Sequence, residues 1–186
     1  MSSPKLFMLL IGCKPEGRHT EQHDVFFGIA PSMKELILQL IEFWPEAEGT
    51  LHIDAYRQVT HVNGYEVKVI SSAEALPSPA KLFFINLGGY KEHEFEEFHY
   101  KLLYAAINKA EAIHQSKKTA FYKHIRFKGA ESHIDDKYGV DVDDVFEIED
   151  ILSTTLKQSY ALSITKAKTD LPEDELHLGY FKLSSF

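Results

Sequence analysis

The sequence predicts an α+β protein of two tandem ββαββ-like repeats, with mainly antiparallel sheets covered by helices. Three observations carry this. Apolar runs recur in the same order in both halves, two ungapped blocks of residues match about 80 positions apart, and one helix-start signal falls at the same point of each half.

Leu6–Ile11 is a continuous apolar run, which suits a strand buried on both faces; its brevity and the following Gly12 favour a strand over a short buried helix. A polar loop, Cys13–Gln22, follows. Val25–Ala30 carries Phe26 and Phe27 and stops at Pro31, while its counterpart Tyr100–Ala106 reads either as a strand or as the start of a longer helix. Ser32–Trp44 spaces Leu36, Ile37, Leu40, Ile41 and Trp44 at helical intervals, and Pro45 ends it. Ser32-x-x-Glu35 and Asn108-x-x-Glu111 have the form of capping boxes, in which a side-chain oxygen accepts a helix N–H and the glutamate reaches back. Asn63-Gly64, between Leu51–Val59 and Tyr65–Ile70, is a two-residue hairpin signal because both positions favour positive φ. The corresponding Asp143-Asp144 makes a poorer turn.

Residues 1–78 are expected to form the first repeat and 79–152 the second, joined by the small-residue and proline-rich SSAEALPSPA. Residues 153–186 form an unmatched extension with strands expected at Tyr160–Lys166 and Leu178–Leu183, able to complete or cap a sheet; all three parts would fit one globule.

The duplication rests on particular pairs. Without gaps, Gly12 falls on Gly88, Glu21 on Glu97, His23 on His99, Glu35 on Glu111 and Gln39 on Gln115. A second block sets His52-Ile53-Asp54 on His133-Ile134-Asp135, Val59 on Val140 and Tyr65 on Phe146.

The residues HTEQHDVFFGI, FWPEAEGTLHIDAYRQV and NGYEVKV resemble the bacterial domain-of-unknown-function family fifteen forty-three, in its two-copy form, across Lys5–Leu152. That resemblance implies no activity, because the family has none to carry over. The second copy departs from the pattern, with Tyr100 in place of Asp24 and Phe98 in place of Gln22.

Composition narrows the partners. A net charge of −8 weakens attraction to nucleic acid and to anionic membranes, and no run approaches the roughly 18 apolar residues of a membrane span. The single cysteine, Cys13, suits a reducing compartment, so a cytoplasmic location is expected. The lipoprotein-like run LFMLLIGC is read as a strand, since the pattern recurs as KLFFINLGG. KKTAFYKHIRFK, from Lys117 to Lys128, interleaves basic and aromatic residues, but an amphipathic strand with solvated lysines explains it better than a nucleic-acid surface. Asp141–Asp150 lacks the glycine and spacing of a calcium loop.

The recurring polar residues are the candidate binding set: Glu21, His23, His52 and Asp54, with Glu97, His99, His133 and Asp135 as their repeats. In a strand, residues two apart share a face, so each pair would point one way. It would either fix a histidine tautomer or offer two metal ligands. Cys13 reads as a core thiol, because its counterpart is Gly89. The function expected is non-catalytic binding of a small molecule or protein where the copies meet as a pseudo-dimer within one chain, with no cofactor and no metal. The alternative is a hydrolase-like or metal-assisted small-molecule enzyme using the repeated histidines and carboxylates, which convergence of Glu21, His23, His52 and Asp54 in one cleft would favour.

Overall fold

The computed structural model describes residues 3–47, 49–90, 93–118, 140–169 and 172–186. The chain divides into two compact units, Met1–Leu76 with Leu152–Phe186, and Pro77–Ile151. Both are α+β, and every strand pairing among the described residues is antiparallel.

In the first unit, strand β1 (Lys5–Cys13) is apolar along its length because it is an inner strand, paired with β2 (Gln22–Ala30) on one side and β3 (His52–Gln58) on the other. The last strand, β10 (His177–Lys182), adds to the far edge of β3, so the sheet runs β10-β3-β1-β2. Helix α1 (Met33–Phe43) covers one face. Leu36 and Leu40, both fully buried, pack there with Phe7, Leu9, Ile11, Cys13, Phe26 and Ile53. The apolar face of α1 is narrower than its sequence suggests: Ile41 is half exposed, although its spacing placed it with Leu36 and Leu40.

The expected hairpin forms at Asn63-Gly64, with φ of 39° and 84° as a two-residue turn of this class requires. Its first arm is the short β4 (His61–Val62) rather than the run from Leu51, and it pairs with β5 (Tyr65–Ser71) in a separate sheet, β4-β5-β9, completed by β9 (Tyr160–Lys166). The run breaks at Val59-Thr60 because the chain changes sheets there. Val59 donates its N–H to the Leu6 carbonyl at 2.8 Å, and the Asp174 carboxylate accepts from the N–H groups of Thr60 (2.9 Å) and His61 (3.2 Å).

The second unit repeats the first arrangement. Strands β6 (Lys81–Tyr90) and β7 (Glu97–Ala106) form the hairpin, helix α2 (Lys109–Ser116) follows, and β8 (Val140–Glu147) takes the other side of β6, giving the order β7-β6-β8. Tyr100–Ala106 is therefore strand. Phe83, Ile85 and Leu87 of β6 pack with Ala106 and with Ala112 of α2. Among the described residues each unit has two strands, a helix and a third strand in that order; after β8 comes a helical turn, α3 (Ile148–Ile151), and not a further strand. Val140–Glu147 is thus the counterpart of β3, where the sequence alignment had set Val140 on Val59 and Phe146 on Tyr65. Asp143-Asp144 lies within β8, and its turn reading is corrected accordingly.

The two capping sequences behave differently. Asn108 Oδ1 accepts the Glu111 N–H at 2.9 Å and Glu111 reaches back to the Ile107 N–H at 2.9 Å, whereas Ser32 donates its hydroxyl to Glu35 and caps no helix N–H. Asn108→Ala should therefore cost about 1 kcal/mol of stability, and Ser32→Ala measurably less. Equal losses in chemical denaturation would contradict the assignment. No helix among the described residues is long and apolar enough to cross a membrane.

Candidate functional site

Gly12 lies opposite two histidines at once, His23 on β2 and His52 on β3. Directly opposed residues of a sheet share a face, so both rings stand on the side away from α1, and Glu21, two residues before His23, joins them. Asp54 is the extra residue of a β-bulge: Leu10 pairs with Ala55 and Ile11 with Ile53, leaving Asp54 without a ladder partner on β1. Its carboxylate reaches over Gly12. A Cβ at Gly12 would stand 2.6 Å from His52 Nε2 and 2.8 Å from Asp54 Oδ2, so only glycine leaves room for them.

The four expected side chains of the first unit therefore converge. His52 Nε2 is 3.1 Å from Glu21 Oε1 and 3.4 Å from Asp54 Oδ1, while His23 Nε2 is 3.0 Å from Asp54 Oδ2 and 3.7 Å from Glu21 Oε2. Only 2 % of His52 is exposed, whereas the side chains of Glu21 and His23 are 45 % and 40 % exposed. The site has a buried floor and an open mouth.

His52 is held from behind. Its Nδ1 lies 3.2 Å from the Thr50 carbonyl, which can only accept, so Nδ1 carries a proton and, in the neutral ring, Nε2 presents its lone pair. Neither His52 Nε2 nor Asp54 Oδ2 has a hydrogen-bond partner, although both are buried. Tyr180 of β10 covers the ring, with centroids 4.4 Å apart and planes inclined by 30°. Sequence reasoning missed Tyr180. Its strand was legible, but nothing in the local pattern says that this strand pairs with β3.

The second unit holds a related but poorer cluster. Gly88 lies opposite His99 on β7 and Asp141 on β8, and the bulge falls again, here at Asp143. His99 Nδ1 is 3.2 Å from Asp143 Oδ2, and His99 Nε2 is 4.0 Å from Glu97 Oε2. On β8, Asp141 stands opposite Gly88 as His52 stands opposite Gly12 on β3, and Asp143 is the bulge residue as Asp54 is. His133 and Asp135 lie outside the described residues, as does most of the basic stretch Lys117–Lys128.

Cys13 is fully buried on the α1 side of the sheet, and burial pushes its thiol pKa up, with Glu21 and Glu46 adding to the rise. A neutral thiol in the core is a poor nucleophile. What faces the mouth is a set of two imidazole nitrogens and two carboxylates.

Residues 18–69 match the family described as Domain of Unknown Function (DUF1543). That match supports the family resemblance read from the sequence. That DUF1543 segment spans Glu21, His23, His52 and Asp54, so the converging side chains of the first unit all lie inside it. Among solved structures, the chain is similar to the crystal structure of protein Il1583 from Idiomarina loihiensis, with 20 % identity, a TM-score of 0.63, and coverage of 97 % of this chain and 98 % of that one. At that identity the likeness speaks for the fold alone. No curated protein matches the chain.

Proposed function

We propose that the DUF1543 domain of this chain is a small-ligand binding module whose site is the Glu21, His23, His52 and Asp54 cluster over Gly12. The observation that carries this reading is His52 Nε2, a buried nitrogen that makes no hydrogen bond and faces the Glu21 and Asp54 carboxylates. A buried polar atom without a partner costs roughly 1–3 kcal/mol, a cost that a bound ligand would remove. The second unit is read as a diverged second copy, supported by its strand order and by the recurrence of Gly88 opposite His99, and the whole chain as a cytoplasmic protein.

A second reading is a small-molecule enzyme, because the convergence that would favour catalysis is present. The binding reading is preferred over catalysis by a side-chain nucleophile for one reason. The only thiol, Cys13, points to the opposite face of the sheet, and the cluster itself supplies no side-chain nucleophile other than the carboxylates.

A thermal-shift panel tests the proposal, using divalent metal ions, inorganic phosphate, a dicarboxylate and a primary amine as probes. At least one should raise the Tm of the natural chain and leave His23→Ala unmoved, since His23 is exposed enough to be replaced without unfolding the sheet. No response to any probe, or an equal response in the variant, would contradict it.

A further inference from the structure

Resting on that reading, we infer that the ligand is one divalent first-row metal ion of the zinc class, held by Glu21, His23 and His52 with Asp54 beside them. Glu21, His23 and His52 each offer one donor atom, and these atoms all lie within 4.8 Å of one another. A tetrahedral ion with bonds of about 2.1 Å needs its ligands roughly 3.4 Å apart. Each histidine Nε2 lies 3.0–3.7 Å from one oxygen of Glu21 and one of Asp54, close to that spacing.

Three further features fit an ion better than an organic molecule. First, one donor atom from each of Glu21, His23 and His52 lies within 4.8 Å of the others, a spacing that a single ion can bridge. Second, two carboxylates with two imidazoles that ligate as neutral rings would bring a charge of −2 to a divalent ion, which balances it. Third, His52 has the outer-shell support that metal-bound histidines show, with Nδ1–H donated to a backbone carbonyl so that Nε2 is the ligating atom. The mixed nitrogen and oxygen donors favour zinc-class ions over magnesium or calcium, which take oxygen ligands.

The second unit should not share the ion. Its cluster has one histidine, Asp141 stands opposite Gly88 where His52 stands opposite Gly12, and Glu97, His99 and Asp143 are all exposed. The proposal is therefore one ion per chain. It replaces the expectation of a metal-free chain, which rested on donors whose mutual placement the sequence does not supply.

Titration of the full chain, freed of metal, with Co²⁺ reads both stoichiometry and geometry. The result expected is one equivalent bound with the intense visible bands of a four-coordinate site, displaced by Zn²⁺. Binding should weaken at least about 100-fold in His23→Ala and Glu21→Gln, beyond what loss of an outer partner produces, and should be unchanged in His99→Ala. Circular dichroism of each variant guards against mere unfolding. If Co²⁺ and Zn²⁺ fail to bind while another probe of the panel still stabilises the chain through His23, the metal proposal is overturned and the binding site stands. If nothing binds, both fall. Binding that depends on His99 in place of His23 would also overturn it.

Discussion

Gly12→Ala is expected to destabilise the chain by about 1–3 kcal/mol, the range for forcing a methyl group into packed space, and to abolish ligand binding at the first-unit site. The sign is not the ordinary one. Replacing glycine by alanine at a compatible position usually stabilises by roughly 0.4–1 kcal/mol through the unfolded chain, and alanine suits a strand better than glycine does. At Gly12 the new Cβ would sit 2.6 Å from His52 Nε2 and 2.8 Å from Asp54 Oδ2, closer than atoms tolerate. Asp54 can swing towards solvent. His52 cannot, because its ring is buried and Tyr180 lies over it. Chemical denaturation of Gly12→Ala beside the natural chain checks this, and a variant as stable as the natural one would show that His52 is not held where the structure puts it.

Leu40→Ala should cost about 2–5 kcal/mol, the range for truncating a fully buried leucine. Leu40 is 0 % exposed between α1 and the sheet, and its neighbours on β1 and β3 are strand residues that cannot collapse far into the space left behind. Leu38, on the same helix, is 72 % exposed, and Leu38→Ala should change stability by less than about 0.5 kcal/mol. The contrast decides the orientation of α1 more sharply than either value. Two similar losses, or a larger one at Leu38, would mean that another face of the helix meets the sheet.

Much of this was legible in the sequence, and the failures share one cause. Local signals named β1, α1, the Asn63-Gly64 turn and the cap at Asn108 correctly, because each depends on neighbours within a few residues. Long-range pairing is not written locally. Nothing near Leu51–Val59 says that the chain changes sheets at Thr60, since the anchoring carboxylate is Asp174, more than a hundred residues away. In the same way, nothing local in the sequence says that a bulge beside a glycine sets Asp54 next to Gly12 and Asp143 next to Gly88. Glu21, His23, His52 and Asp54 were visible as residues, but their convergence depends on Gly12 being crossed by β2 and β3 at one level of the sheet.

The state of the His52 ring tests the central claim most directly, because the site depends on a buried Nε2 lone pair aimed at a ligand. Long-range proton–nitrogen NMR of the histidine rings, recorded on the metal-free chain and again with Zn²⁺, reports which nitrogen carries the proton. The account predicts Nδ1–H with a bare Nε2 in His52, and a shift of that Nε2 resonance together with that of His23 when Zn²⁺ is added. A proton on Nε2 with Nδ1 bare, or a His52 signal that does not move while His99 does, would contradict it.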